Sequence, residues 1–371
     1  MKAFPKITIY DKYIFNQVLV TTFVAILLFT VVWIAPEMLL STIKKTLAGT
    51  YGIKTAILVL FYELPKILGK AFPVGLLLGT LFTFDKLSKD SELTIFRAVG
   101  LSFQRIIAPV LVLSLIVTWM CFVTCDKLIP YSVNKTMAIK GGYISTQYIY
   151  TQKDKNEVPT KAVIVSKFSK DTMYNVIVLD FSKKLYNDVH QLNNIYYAKT
   201  GKNFANKWQL YDITQYQISN DGIFVDINNL KEMDILEGEA AKNAFTLMTY
   251  SVKKEREINN RDLKNYIKLL KKEGLDEEYR YMLNKYLQRF FHPFVCVILA
   301  IMGALLGFSK PREQRLIGFT IAIGCIFLYY ITLPFFDLLA EKGVLHPFIT
   351  AIFPPFAFLC ATVIFYKSKD L

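Results

Sequence analysis

The sequence predicts an α-helical membrane protein of six spans with an all-β domain inserted between the third and the fourth. Three observations predict it. Five long apolar runs carry no charge, with a sixth that is interrupted; a polar middle stretch breaks into short β-rich segments; and 53% of the 371 residues are apolar against 20% charged. Soluble proteins carry about 25% charged residues, so an ordinary soluble enzyme is the first class to be excluded.

A helix crossing a hydrocarbon layer of about 30 Å needs roughly 20 apolar residues at about 1.5 Å rise each. Tyr13–Ala35, Ile106–Cys125, Phe290–Ser309, Leu316–Phe336 and Gly343–Tyr366 meet that length without one Asp, Glu, Lys or Arg. The sixth candidate, Tyr62–Phe84, holds Glu63, Lys66 and Lys70 in its first turns and is clean only from Ala71 onward. It reads as a span with a polar first third; the alternative is that only its second half is buried. The first run ends in Trp33-Ile34-Ala35-Pro36, longer than a signal peptide's core, so it stays as the first span. All five cysteines, Cys121, Cys125, Cys296, Cys325 and Cys360, sit in apolar sequence, which implies neither a disulfide framework nor a metal scaffold.

Orientation follows from the cations of the short loops, because cytoplasmic loops carry the excess of Lys and Arg. Lys2, Lys6, Lys12, Lys86, Lys89, Arg97, Arg105, Lys310, Arg312, Arg315, Lys367 and Lys369 fall on the side of the termini, against Lys44, Lys45, Lys54 and Lys342 on the other. Both termini are therefore expected in the cytoplasm, and the net charge of +14 is read as topology rather than as nucleic-acid binding. The expected domains are 1–130 (three spans, with a cytoplasmic helix at 87–100), 131–256 (the β domain outside) and 257–371 (connecting helices and three spans).

Within the β domain the expected strands are Gly142–Thr151, Lys161–Phe168, Tyr174–Phe181, Asn194–Lys199, Lys207–Gln217, Gly222–Ile227 and Ala244–Val252, with Asp221-Gly222 and Thr200-Gly201-Lys202 as turns. Such spacing without helices suggests a sandwich, jelly roll or barrel. Then the period becomes helical. Leu263, Tyr266, Ile267 and Leu270 share a face, Asn260 is the expected cap and Gly274 the stop, and a further helix from Asp276 runs on into the fourth span.

Chemistry is sparse. His190, His292 and His346 are the only histidines, and no zinc spacing, nucleophile elbow or carboxylate pair stands out. Gly69-Lys70-Ala71 and Gly201-Lys202-Asn203 lack what a P-loop needs, so no ATP or magnesium is expected on this chain. Glu63, Lys66 and Lys70 lie at helical spacing on one face, which suits a phosphate-attracting rim, a proton relay or snorkelling side chains. Leu87–Ser102 reads as a short amphipathic helix: Asp90 or Ser91 caps it, Glu92 sits in its first turn, Leu93, Phe96 and Val99 share a face, and Gly100 ends it. It either rests on lipid or is gripped by a cytoplasmic partner. Gly75 with Gly79, and Gly303 with Gly307, are small-xxx-small pairs that permit close helix approach.

Several local strings resemble one known family. They are Asp11-Lys12-Tyr13-Ile14, Leu64-Pro65 with Phe72-Pro73 and Leu77-Leu78-Gly79, and Ser91-Glu92-Leu93-Thr94 leading to Arg97-Ala98-Val99-Gly100-Leu101-Ser102, with Lys285 and Pro293 flanking the fourth span. Together with three spans, a β domain and three more spans, they resemble the LptF/LptG (YjgP/YjgQ type) permeases of lipopolysaccharide export over essentially the whole chain. The resemblance implies an ABC-transporter permease subunit in the inner membrane of a Gram-negative bacterium, with a jelly-roll-like periplasmic domain. Its implied partners are a dimeric cytoplasmic ATPase that binds the ATP and magnesium, a paralogous permease or second copy, a periplasmic bridge protein, and lipopolysaccharide itself.

By the same resemblance, Asp90, Ser91, Glu92, Phe96 and Arg97 belong to a coupling helix seated on the ATPase. Lys44, Lys45, Lys135 and Lys140 match basic positions suited to the lipid's phosphates. Pro36-Glu37 stand where family members often carry a base, with Lys66 and Lys70 as compensating cations. Phe23, Phe29, Trp33, Phe319 and Phe327 are the expected start of an apolar path. Two other classes stay open from the residues alone: a membrane-anchored sensor or scaffold whose β domain binds a protein, and a proton-coupled carrier using Glu63.

Overall fold

The computed structural model describes residues 8–34, 38–49, 52–139, 145–153, 158–169, 171–181, 183–184, 190–204, 207–219, 221–251, 253–308 and 316–368. Pro36-Glu37, Lys140 and the loop and terminal cations Lys2, Lys6, Lys310, Arg312, Arg315 and Lys369 lie outside them. The chain divides into a helical unit, Met1–Thr136 with Glu255–Leu371, and a second unit, Met137–Lys254.

The helical unit begins with α1 (Ile9–Ile34), the short α2 (Leu40–Leu47), the 37-residue α3 (Ile53–Lys89), α4 (Glu92–Ala98) and α5 (Phe103–Val123). A π-helical turn at Thr124–Leu128 carries α5 directly into α6 (Ile129–Ile139). Among the described residues, six helical stretches are long and apolar enough to cross a membrane: Ile9–Ile34, Ile53–Lys89, Phe103–Ile139, Asp276–Gly307, Ile317–Glu341 and Pro347–Ser368. At about 1.5 Å per residue α3 is about 55 Å long. It can therefore cross the apolar layer and still project the turns of Glu63, Lys66 and Lys70 beyond it, with no break between its polar and apolar parts.

α3 is the strut on which the unit is built. In its apolar window 78% of residues are buried, against 22% for α1. Glycine makes the contact: a Cβ at Gly79 of α3 would lie 2.5 Å from Thr22 Cα of α1. Pro73 inside α3 has no N–H to give the carbonyl of Gly69 four residues back. The Cys121 thiol of α5 donates to that carbonyl at 3.8 Å instead.

The second unit carries β1 (Ser145–Lys153), β2 (Pro159–Ser169), β3 (Thr172–Asp180), β4 (Lys183–Lys184), β5 (His190–Gln191), β6 (Asn194–Phe204), β7 (Lys207–Ile218), β8 (Phe224–Glu237) and α7 (Gly238–Ser251). Six strands form one antiparallel sheet in the order β1-β2-β3-β6-β7-β8, and β4 and β5 pair by themselves. Alternation buries Trp208 and Leu210 on β7 and Val176 and Val178 on β3, and Met173 is buried on the other side of Asn175, whose φ of 50° shifts the pattern by one.

Two expectations are corrected here. The expected turn at Thr200-Gly201-Lys202 is strand interior within β6, and Gly201 is there because a Cβ would meet Leu210 Cδ2 at 2.7 Å. Of the expected strand Ala244–Val252, all but Val252, which lies outside the described residues, falls in α7: Ala241, Ala244, Leu247 and Met248 are buried at helical spacing, and the Ala-rich run favours helix. α7 packs on β1 at one edge of the sheet and on β7 and β8 at the other.

The chain returns to the helical unit through a 3₁₀ turn at Glu255–Glu257, α8 (Asn260–Lys272) and α9 (Asp276–Phe291). A second 3₁₀ turn, His292–Phe294, leads to α10 (Val295–Gly307), followed by α11 (Leu316–Glu341) and α12 (Pro347–Ser368). The cap of α8 is Asn259 rather than Asn260: its side chain accepts from the Asp262 N–H at 2.8 Å. Leu263, Tyr266, Ile267 and Leu270 are all buried, and burial raises the pKa of the Tyr266 phenol. α10 also meets α3 through glycine, since a Cβ at Gly303 would lie 2.3 Å from the Leu77 carbonyl oxygen. α11 is the least buried span, with 17% of its window inside.

Replacing Gly79 by Ala puts a methyl group against backbone and should cost about 1–3 kcal/mol. Gly324→Ala on α11, where a Cβ meets nothing within 4 Å, should leave stability unchanged or slightly raised. Chemical denaturation in detergent, followed by helical circular dichroism, checks both; equal midpoints for the two variants would refute the packing argument.

Candidate functional site

A cavity of about 360 Å³ opens in the helical unit at the C-terminal end of α1. Five cations line it: Lys66 and Lys70 of α3, Arg256 of the 3₁₀ turn before α8, and Lys285 and Arg289 of α9. Two acids, Glu255 and Asp337, accompany them, so the lining is net cationic. The sequence arranges this simply. Lys66 with Lys70, and Lys285 with Arg289, are each four residues apart, which places both members of a pair on one helical face.

Lys285, Arg289 and Lys70 are held in place. Lys285 forms an ion pair with Asp337 Oδ2, and Asn284 and Gln288 each donate to Asp337 Oδ1 at 2.8 Å. Arg289 donates to Asn260 Oδ1 at 2.8 Å and to the Glu255 carbonyl. Lys70 Nζ sits 5.1 Å from the centre of the Trp33 ring, within cation–π range, and Trp33 stacks on Phe29 at 5.3 Å. Tyr330 of α11 donates to the Lys70 carbonyl at 2.8 Å. The Trp33 indole N–H is buried without an acceptor among the described residues. A partly enclosed, mainly apolar site strengthens electrostatic attraction relative to water, so this lining favours a ligand that is anionic and offers hydrogen-bond acceptors.

At the other end of the bundle, α4 is tied to the start of α1 and to α10. Tyr13 donates to Glu92 Oε1 at 2.9 Å, the Tyr10 and Phe96 rings are 6.2 Å apart, and Arg105 pairs with Asp11 at 2.7 Å. The Arg97 guanidinium lies 5.7 Å from the Phe308 ring centre. The expected side-chain cap is corrected: Ser91 has φ of 60° and makes no capping bond, because the tight turn from α3 takes the backbone through the left-handed region. Gly100, with φ of 90°, ends the helix. Leu93 is buried and Phe96 half-buried, whereas Val99, expected on the same face, is exposed, as is Ile95.

The family model described as "Lipopolysaccharide export system permease LptF/LptG" matches residues 12–368. The chain belongs to the LptF/LptG family. Two curated LptF/LptG relatives, the lipopolysaccharide export system permease proteins LptG of Escherichia coli strain K12 and of strain O6:H1 (CFT073), are each 23% identical to it. Each alignment covers 97% of this chain and 97% of the relative.

Of the residues singled out from the LptF/LptG resemblance and the sequence, the structure brings Lys66, Lys70 and Trp33 together in the cavity, with Phe29 behind Trp33. Lys44 and Lys45 are exposed on α2, and Lys135 is exposed on α6, with Nζ 5.7 Å from the Tyr131 ring centre. Phe23 and Phe327 are exposed on α1 and α11. Phe319 lines a separate cavity near Asp85 and packs 5.9 Å from Phe82. Asp90 is exposed in the α3–α4 turn. Arg256, Arg289 and Asp337 were not singled out. The readable signal is a second pair of cations four residues apart, Lys285 and Arg289, lying just ahead of an apolar run as Lys66 and Lys70 do.

Cys125 lines the same cavity and reports its potential. With Cys325 and Cys360 changed to Ser, a sulfonate-bearing methanethiosulfonate should modify Cys125 about tenfold faster than its trimethylammonium counterpart at low salt. The ratio should fall toward one in Lys66→Glu/Lys70→Glu and at high ionic strength. Equal rates in the unaltered lining would contradict a positive cavity.

Proposed function

We propose that this chain is a lipid-conducting permease subunit that takes the phosphorylated head of lipopolysaccharide into the cationic cavity, lays its acyl chains along α1 and α11, and is driven by a separate cytoplasmic ATPase. One observation carries the reading. The cavity is walled by Trp33 of α1 and by Tyr330, Leu333 and Asp337 of α11, the two least buried spans, so a cation-lined chamber borders the helices with the most apolar surface facing outward. Family membership supplies the substrate class.

The energetics favour an external motor. Each buried CH₂ is worth about 0.8 kcal/mol, so withdrawing a multiply acylated lipid from a bilayer costs tens of kcal/mol and needs repeated input. In this reading α4 is the contact for the ATPase, with exposed Ile95 and Val99 available to it and Glu92 and Arg97 orienting it. ATP and magnesium belong to that partner. A paralogous permease or a second copy completes the conduit, with both termini cytoplasmic. The β unit, on the periplasmic side, passes the lipid to a bridge protein.

Reconstitution with the partner permease and ATPase in nanodiscs, followed by ATP-dependent release of labelled lipopolysaccharide, tests this. Removing charge-assisted contacts of about 1.5–3 kcal/mol each, Lys66→Gln/Lys70→Gln should slow release at least tenfold while ATP hydrolysis persists. Glu92→Arg should lose both the ATPase on copurification and the release. Wild-type release by both variants would overturn the assignment.

A further inference from the structure

α11 is the least buried span; its polar ties from Tyr329, Tyr330 and Asp337 lie beside the cavity, and at its far end the Glu341 carbonyl accepts from Arg280 of α9 at 3.2 Å. Asp337 is their hub. Its carboxylate accepts from Asn284, Lys285 and Gln288, three side chains of α9. α9 is the fixed side of this joint, because fully buried Asn284 also accepts from Thr350 of α12 at 2.9 Å. The Lys285 and Asp337 side chains are 11% and 13% exposed, so the pair is shielded from solvent screening although both residues line the cavity.

Such a pair suits a binding chamber for anions. Crowded cations without a counter-charge are costly to bury, and the Asp337 carboxylate supplies Lys285 with one when no substrate is present. That carboxylate also occupies the position on Lys285 that an incoming phosphate would take. We propose that Asp337 is a resident anion that latches α11 to α9 until an anionic head group replaces it on Lys285. The displaced carboxylate then faces a like charge across the cavity and carries Tyr330 and Leu333 outward with α11. The inference rests on the phosphorylated-lipid reading above and adds to it that the substrate's own charge releases one wall of its chamber.

The full chain in nanodiscs, with native cysteines replaced and spin labels at exposed Leu338 of α11 and Glu277 of α9, reads the latch directly. Bisphosphorylated lipid A should lengthen the distance between the labels, and the same lipid stripped of phosphate should not. Asp337→Asn should lengthen it without lipid and raise affinity for the bisphosphorylated form about tenfold, corresponding to about 1.4 kcal/mol. In a Lys285→Gln background that gain should vanish. A purely structural Asp337 predicts the opposite sign, a loss of affinity in Asp337→Asn. Should that variant fail to fold, the wild-type distance response to the two lipids decides. Binding of the phosphorylated lipid with an unchanged distance would overturn the latch and leave the permease reading standing; no binding at all would remove both.

Discussion

Backbone-to-backbone approach along α3 is the constraint from which the helical unit follows. Gly79 lets α1 lie against it at Thr22, and Gly303 lets α10 lie against the Leu77 carbonyl. Apolar side chains have no reason to prefer one another over lipid tails, so helices in a membrane associate through close packing and polar contacts. The small residues fix which helices are neighbours, and that choice sets the cavity: with α1 and α10 clamped to α3, Trp33, Lys70 and His292 come together at one end.

The polar groups at that end obey a second rule, that charge away from water must be paired or hydrogen-bonded. Lys285, Asn284 and Gln288 share Asp337; Arg289 uses Asn260 and the Glu255 carbonyl; the backbone oxygen of Lys70 accepts from Tyr330. These bonds link α3, α8, α9 and α11. The same network that makes a positive chamber tolerable therefore also ties α11, otherwise little buried, to the rest of the bundle.

Much of this was legible in the sequence, for definite reasons. Charge-free runs locate the spans because hydrocarbon admits nothing else, and the Leu263–Leu270 face followed from helical spacing alone. Length was less legible. Glu63, Lys66 and Lys70 interrupt hydropathy but not the helix, since a helix outside the apolar layer has no need of apolar residues. Gly201 read as a turn because glycine serves both turns and close strand packing, and only its neighbour Leu210 distinguishes them. Ala244–Val252 read as a strand through Phe245, Thr246 and Val252, whereas burial of Ala241, Ala244 and Met248 follows helical spacing. Asp337 was invisible as a hub because its three donors lie about fifty positions upstream.

The glycine contact at Thr22 has a mechanical meaning. It lies near the midpoint of α1, about 18 Å from Tyr10, which touches Phe96, and about 17 Å from Trp33, at about 1.5 Å per residue. A rod held at one point alone could turn about it, but a second close approach one turn on, where a Cβ at Gly75 would lie 3.3 Å from Ile26 Cα, takes that freedom away. The tilt of α1 against α3 is therefore set, and the foot that meets α4 and the end that carries Trp33 keep a fixed bearing on one another.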